Sequence, residues 1–314
     1  MRIGLTSNHR YPARRFVTWR GGRAGARVLD HLARGLGELG HEVSYYLTEG
    51  AAEPLPPNVR LARRPTTRAD VMHVQHLHLG QPADSAWPPS VRTCHGDHAL
   101  SWGLAVQDPI FVSRTHAASH GSTRFVHNGI DPAELIYSER KEPYCLFMSN
   151  LRQAVGKGLP IALEACRRAG VRLHIAGSAD AHAMRRVERL CRGHDVRLLG
   201  ELRGEQKAEA LAGARALLFP TQLNESFGLV IAEALMSGTP VIASDRGACP
   251  ELVTAGAGFV CAGIDDYVRA IERAGEISPA HCRQKAMREF HYLRMAESYV
   301  REYEREITAR ETSR

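Results

Sequence analysis

The chain is poor in lysine. Lys141, Lys157, Lys207 and Lys285 are the only four, so 37 of its 41 basic residues are arginine. In so arginine-biased a sequence each lysine carries more information than usual. Seven cysteines, at 94, 145, 166, 191, 249, 261 and 282, are odd in number, widely spread and never in a Cys-x-x-Cys pair. That spacing suggests neither a disulfide framework nor a zinc knuckle, and buried, reduced thiols are the expectation. No apolar run approaches the ~18 residues of a membrane-spanning helix. After Leu5 the N-terminus turns polar and arginine-rich, too soon for the apolar region of a signal peptide, and a cytoplasmic location is expected.

Two phosphate-binding signatures are also missing. A dinucleotide fold would show Gly-x-Gly-x-x-Gly directly after its first strand. Here an arginine-rich stretch follows, and its nearest glycines, Gly21, Gly22 and Gly25, have the wrong spacing. Gly156-Lys157-Gly158 carries the Gly-Lys of a P-loop, but Leu151 stands at its first glycine position and Gly158 at its Ser/Thr position. Nicotinamide chemistry and ordinary P-loop ATP hydrolysis are therefore not expected.

What is present is a globular chain of 314 residues, 44% apolar and 24% charged, long enough for about two domains. Its net charge of +7 favours anionic partners without selecting among them. Short apolar runs alternate with helix-length amphipathic stretches along the whole chain, the pattern of βαβ units and parallel sheets. In the first half, strands are predicted at 2–5, 42–47, 71–75, 91–95, 110–113 and 124–127, with a helix at 24–39 ending on Gly40. Pro132 and the polar run from Tyr137 to Pro143 read as a linker. In the second half, strands at 145–148, 171–176, 196–199, 214–219, 241–243 and 259–261 alternate with helices at 160–168, 181–191, 205–212 and 226–237. A long amphipathic helix closes the chain at 290–310. The domain reading is 1–138 and 139–288, each Rossmann-like, followed by a C-terminal helix, 289–314, for which the N-terminal domain is the candidate docking surface.

The chemistry concentrates between Phe219 and Pro240. Ser226 is placed to cap a helix that stops at Gly238. Phe227, Leu229, Val230, Ile231, Ala232, Ala234, Leu235 and Met236 make nearly every face of it apolar, so it should be buried. Glu233 is its single charge. An unpaired buried carboxylate costs several kcal/mol in effective terms, so Glu233 requires hydroxyl donors, a cation or a cleft edge. A ribose diol supplies two donors; an arginine would also serve. Glu225 precedes the helix, beside Phe227-Gly228-Leu229, whose N–H groups can hold a diphosphate.

Glu225 and Glu233, with seven residues between them, resemble the paired-glutamate motif of the retaining glycosyltransferases of family 4, which have the GT-B fold. Supporting segments follow in order: Asp70-Val-Met-His73-Val-Gln75 is similar to the family's "DVVHAH" strand end, and Val126-His-Asn128-Gly129-Ile-Asp131 to its "IPNGVD" stretch. Ser244-Asp245-Arg-Gly-Ala-Cys-Pro250-Glu251-Leu is similar to the segment after the last glutamate. The resemblance implies an α/β chain of two Rossmann-like domains facing a cleft. It also implies a pair of cations on the leaving diphosphate. Lys157-Gly158 matches the second element of the family's "GR…KG" pattern, but Ser149-Asn150 replaces the first, leaving Arg152 or Asn150 in that place.

The catalytic set implied is His95, Glu225, Lys157 and Arg152. Donor binding falls to Gly22, Lys157, Arg152, Leu199, Phe227, Gly228, Leu229 and Glu233. His95 ends a predicted strand at its carboxyl end and would contact the donor sugar. A zinc site from His73, His76, His78, His95 and His98 is a weaker alternative, without a Cys or carboxylate at ligand spacing. The expected activity is transfer of a hexose-like sugar, with retention, from a UDP- or GDP-type sugar to a small acceptor, without a metal or other cofactor. The chain is short for this family, mostly in the acceptor domain, which points to a compact acceptor and a secondary-metabolite tailoring step. A GT-B nucleotide-sugar epimerase and an envelope glycan or lipid glycosyltransferase are the alternatives. Five arginines among residues 10–23 fit an anionic acceptor, an acidic membrane surface or plain solvated charge. No nucleic-acid-reading motif accompanies them, so neither nucleic acid nor membrane is the favoured partner.

Overall fold

The structure, a computed structural model, describes residues 1–6, 10–11, 23–46, 49–50, 55–62, 68–75, 88–96 and 108–312. It divides into two units: Met1–Ile130 together with Phe290–Arg314, and Asp131–Glu289. The chain thus leaves the first unit at Ile130, earlier than the linker reading, and returns to it at Phe290.

The first unit contains strands β1 (Arg2–Thr6), β2 (Arg10–Tyr11), β3 (Glu42–Tyr46), β4 (Glu49–Gly50), β5 (Val59–Ala62), β6 (Val71–Val74), β7 (Ser90–Cys94) and β8 (Ile110–Phe111). Its helices are α1 (Arg23–Glu38) and α2 (Arg114–Ser119). The main sheet has the order β5-β3-β1-β6-β7-β8, with β2 and β4 as a separate pair. All pairs are parallel. The strand predicted at 124–127 does not form: that segment joins β8 only through Phe125. The buried Arg124 guanidinium is instead drawn to acids of the C-terminal helix, Glu302 at 2.6 Å and Glu306 at 3.3 Å.

The second unit runs β9 (Glu142–Met148), α3 (Leu159–Ala169), β10 (Arg172–Ala176), α4 (Ala181–Leu190), β11 (Val196–Gly200), α5 (Gly204–Gly213) and β12 (Ala214–Phe219). It continues α6 (Leu229–Met236), β13 (Val241–Ser244), α7 (Cys249–Leu252), β14 (Gly258–Cys261), α8 (Ile264–Arg273) and α9 (Pro279–Glu289). The sheet order is β11-β10-β9-β12-β13-β14, again all parallel. Buried runs such as β13, apolar but for Ser244 and covered on both faces, explain why continuous rather than alternating apolar sequence forms its central strands.

Within each main sheet the strands follow the doubly wound order 3-2-1-4-5-6. In such sheets ligands bind outside the carboxyl ends of the strands, where the order reverses. The reversal lies between β1 and β6 in the first unit and between β9 and β12 in the second. This feature positions the site described below.

The C-terminal helix α10 (Tyr292–Thr312) belongs to the first unit and packs on α1, β6 and β7. Its Tyr299 and Tyr303 are fully buried. Tyr303 Oη lies 2.7 Å from His73 Nδ1, His73 Nε2 lies 3.0 Å from Thr93 Oγ1, and Thr93 Oγ1 lies 2.6 Å from Tyr299 Oη. Burial, with a smaller contribution from His95, pushes the His73 imidazole down to about 3. His73 is therefore a neutral member of a structural network, with both ring nitrogens engaged, which removes it from the zinc alternative. His76, His78 and His98 lie outside the described residues, and no cluster of three metal-ligating residues occurs among the described ones. No described helix is long and apolar enough to cross a membrane. All seven cysteines are free and buried.

Candidate active site

Two loops meet at the strand reversal of the second unit. The first leaves β9. Asn150 Oδ1 accepts the Arg152 N–H at 3.1 Å, winding residues 151–153 into a single 3-10 turn. The turn carries the chain through Gly156 to Lys157, whose N–H donates to Gln153 O at 2.8 Å. The second loop leaves β12 through Pro220 and Thr221 and is tied to the first by Gln222 N–H donating to Gly156 O at 2.8 Å. Glu225 follows. Lys157 Nζ sits 2.5 Å from Glu225 Oε2, both side chains being 17% exposed. The sequence-read cation and the first glutamate therefore come together.

A third segment holds Glu225 from behind. Ala248 N–H donates to Glu225 O at 2.8 Å. Gly247 lies so close that an added Cβ would stand 2.4 Å from both Glu225 N and Glu225 O, at φ +53. Only glycine fits there. Gly247→Ala should displace Glu225 at a strain of about 1–3 kcal/mol. Calorimetry is expected to show Tm lowered by about 5 °C, and an unchanged Tm would contradict this packing. Cys249, next along, is fully buried, and burial, with Glu225 contributing less, pushes its thiol up to about 12.

This clamp also corrects the helix start. Ser226 does not cap α6; the N-cap is Gly228 at φ +82, and the first helical residue is Leu229. With Glu225 pinned by Gly247 and Ala248, residues 225–227 stay outside the helix until Gly228 turns the chain into it. Ile231 N–H takes Gly228 O at 2.9 Å, while the N–H groups of Leu229 and Val230 open the helix, where no intrahelical partner exists. Phe227 is buried, Gly228, Leu229 and Val230 are half-buried, and residues 231–236 are buried. The positive end of α6 is thus its accessible end.

Glu233 is almost wholly buried, and its charge is met inside the protein: Lys207 Nζ, from α5, stands 2.6 Å from Glu233 Oε1. Of the expected partners it is thus a cation that meets the acid, a lysine and not one of the many arginines. Lys207 went unread as a site residue, although the scarcity of lysine pointed to it. All four lysines lie in this unit and each ammonium is bonded within it. Lys141 reaches Ala212 O at 2.8 Å and Thr239 Oγ1 at 2.9 Å, and Lys285 bonds Glu289.

Arg152 is not brought to Lys157. Its guanidinium lies 3.0 Å from Asp180 Oδ2, which is the N-cap of α4, and its side chain is 60% exposed. The 3-10 turn aims it outward, toward that acid. Leu199 is half-buried near the end of the edge strand β11. In the first unit, His95 directly follows β7, half-buried beside the first turn of α1: a Cβ on Gly25 would lie 3.6 Å from its ring. Gly22 and most of the arginine-rich stretch lie outside the described residues.

Residues 142–276 match the family described as glycosyl transferases group 1. The phosphatidyl-myo-inositol mannosyltransferase of Mycobacterium tuberculosis (strain ATCC 25618 / H37Rv) is 28% identical over 247 residues, 64% of this chain and 65% of that one. That of Mycolicibacterium smegmatis (strain ATCC 700084 / mc(2)155) is 26% identical over 294 residues, 75% and 76% of the two chains. The chain spans about 65% of the length of the first of these relatives. Among solved structures, AviGT4, a glycosyltransferase involved in avilamycin A biosynthesis, superposes with a TM-score of 0.77 at 23% identity, covering 98% of each chain. Sucrose-phosphate synthase from Thermosynechococcus elongatus gives 0.71 at 16% identity, covering 98% and 99%.

Two doubly wound units of this kind define a protein of the GT-B fold. More narrowly, residues 142–276 of its second unit are similar to the glycosyl transferases group 1, and the resemblance to glycosyltransferases is supported at that level.

Proposed function

We propose that the protein is a retaining glycosyltransferase that moves a hexose-like sugar from a nucleoside diphosphate sugar to a small acceptor. The observation that carries this reading is the arrangement at the β9/β12 reversal, where Lys157 pairs with Glu225 just before the half-buried N-terminal turn of α6, the helix that also carries Glu233. Cleavage of the anomeric C–O bond sends its electron pair to the departing diphosphate, while positive character builds on the sugar ring. Lys157 and the Leu229 and Val230 N–H groups oppose the diphosphate charge more strongly in the transition state than before it. Glu225, released from Lys157 as the phosphate takes the ammonium, accepts from sugar hydroxyls. Glu233 accepts from the ribose diol. Attack comes from the same face, and the acceptor's proton passes to the leaving phosphate. The exposed Arg152–Asp180 pair is worth at most about 1 kcal/mol, too little to keep Arg152 from a diphosphate. Two such cations serve in place of a divalent metal.

A small acceptor in secondary metabolism is supported by the end-to-end likeness to AviGT4. A lipid acceptor is the second reading, favoured by the phosphatidyl-myo-inositol mannosyltransferases. Thermal melting with UDP, GDP, TDP and ADP tests the donor site. A ligand at 100 times its Kd adds about 2.7 kcal/mol, and one diphosphate should raise Tm equally with and without EDTA. No shift with any of them would contradict the reading. Donor turnover only when acceptor is added separates transfer from epimerisation.

A further inference from the structure

We propose that the outward face of α4 is a docking surface for a membrane rich in anionic phospholipid, held there by the headgroup phosphates alone. The inference is independent of the donor reading above and concerns a helix that reading leaves unused.

α4 starts at its N-cap Asp180, whose side chain accepts the Ala183 N–H at 2.8 Å. Its inner side is spent in the core. Ala183, Val187 and, just past the helix, Cys191 are buried, and Met184 and Leu190 pack on the same cluster. At 3.6 residues per turn, His182, Arg185, Arg186 and Arg189 fall together on an arc of about 100° on the opposite side. Arg192, in the turn after the helix, extends this stripe, and all five residues are exposed. Among the described residues, none of the four arginines pairs with a carboxylate. Elsewhere on this unit arginines find acids: Arg167 bonds Glu164, Arg168 bonds Asp265, Arg172 bonds Asp195 and Arg269 bonds Asp266. Glu188 is the one acid within α4. Arginines three and four residues apart on a helix repel one another, so the stripe costs the helix stability. Its complement lies outside the unit and is anionic.

The chemistry of the stripe selects that partner. No aromatic residue lies in α4 or the turn after it, so nucleic-acid bases find no stacking platform, and no Asn or Gln there can read a base edge. A row of guanidinium groups with nothing else beside it meets a plane of phosphates. The apolar side of α4 is not available to enter acyl chains, so attachment is electrostatic. It is worth about 5-fold in affinity per arginine and is weakened by salt. As a crossover helix α4 runs back from the carboxyl ends of the strands. The stripe therefore lies along the flank of the unit and not across the Lys157–Glu225 pair.

The test is cosedimentation of the full-length protein with vesicles of phosphatidylcholine, alone or with about 30% phosphatidylglycerol, in about 0.1 M salt. The wild type should bind the anionic vesicles, ignore the neutral ones and be released at about 0.5 M salt. Arg185→Gln, Arg186→Gln, Arg189→Gln and Arg192→Gln combined should weaken binding by about 100-fold or more while Tm does not fall. Lysine at the same four positions should keep the affinity within about 5-fold, since charge and not the planar fork is required. A contrasting variant carries glutamine in place of Arg10, Arg14, Arg15, Arg20 and Arg23, and it should lose less than the α4 variant. Absence of wild-type binding to the anionic vesicles, undiminished binding by the α4 variant, or a larger loss from the substitutions at 10–23 overturns the proposal. So does a wild type that binds a duplex oligonucleotide and not the vesicles. Should the fourfold variant fail to fold, Arg189→Gln with Arg192→Gln decides in its place: binding weakened by about 30-fold supports the proposal, and an unchanged affinity overturns it.

Discussion

Lys157→Ala is expected to lower kcat/KM for sugar transfer by about 10³-fold, while Glu225→Ala should abolish transfer and yet tighten the binding of the free nucleoside diphosphate by about 5-fold. The asymmetry follows from the ion pair. In the ligand-free protein the Lys157 ammonium is bonded to Glu225, in a partly buried position where the Coulomb interaction is only partly screened. A diphosphate must take Lys157 from that carboxylate and also lie near its negative charge. Removing Glu225 removes the competitor and the repulsion together, which favours the product-like ligand. Removing Lys157 takes away the charge that opposes the leaving group and leaves Glu225 facing it. Steady-state kinetics and calorimetry with the same two variants check both halves. Weaker diphosphate binding by Glu225→Ala would show that the pair does not compete with the ligand.

The second large effect concerns the first unit. Tyr299→Ala with Tyr303→Ala should unfold it at 37 °C. Each substitution removes a fully buried aromatic ring at about 3–5 kcal/mol, against a total stability for a domain of roughly 5–15 kcal/mol. The loss also strips His73 and Thr93 of their hydroxyl partners. Calorimetry should show the transition of the first unit lost from the scan, and a double variant with two intact transitions would contradict the docking of α10. The His73 network has a pH signature as well. An imidazole held at about 3 when folded takes up a proton more readily when unfolded. Its contribution is complete above the unfolded value near 6.5 and is lost progressively as pH falls toward 3.

Much of this architecture is legible in the sequence because parallel strands buried on both faces are continuous apolar runs. β12 falls where it is predicted, at 214–219, and β1, β3, β6, β10, β11, β13 and β14 differ by a residue or so at their ends. β5, reading Val-Arg-Leu-Ala, is four residues long with its one arginine breaking the apolar run and only Val59 buried, and α8 and α9 are charge-rich helices whose buried faces are narrow. The start of α6 is displaced because a tertiary contact, Gly247 against Glu225, overrides the local capping signal of Ser226. In the site, the two glutamates and Lys157 are legible because chemistry fixes their types and spacing. Lys207 is not part of that spacing; it reaches Glu233 from another helix, and only its rarity marked it. Arg152 satisfied the sequence argument on charge alone, but a 3-10 turn sets its direction.

On this reading a nucleoside diphosphate binds at the β9/β12 reversal by taking Lys157 from Glu225, while its ribose diol joins Glu233 beside Lys207. A crystal structure with the diphosphate that raises Tm tests it most directly. The terminal phosphate should lie within hydrogen-bond distance of Lys157 Nζ, with Glu225 turned from that ammonium and both ribose hydroxyls on the Glu233 carboxylate, Lys207 still bonded to it. A nucleotide bound elsewhere, with Lys157 still on Glu225 and no hydroxyl on Glu233, would contradict it.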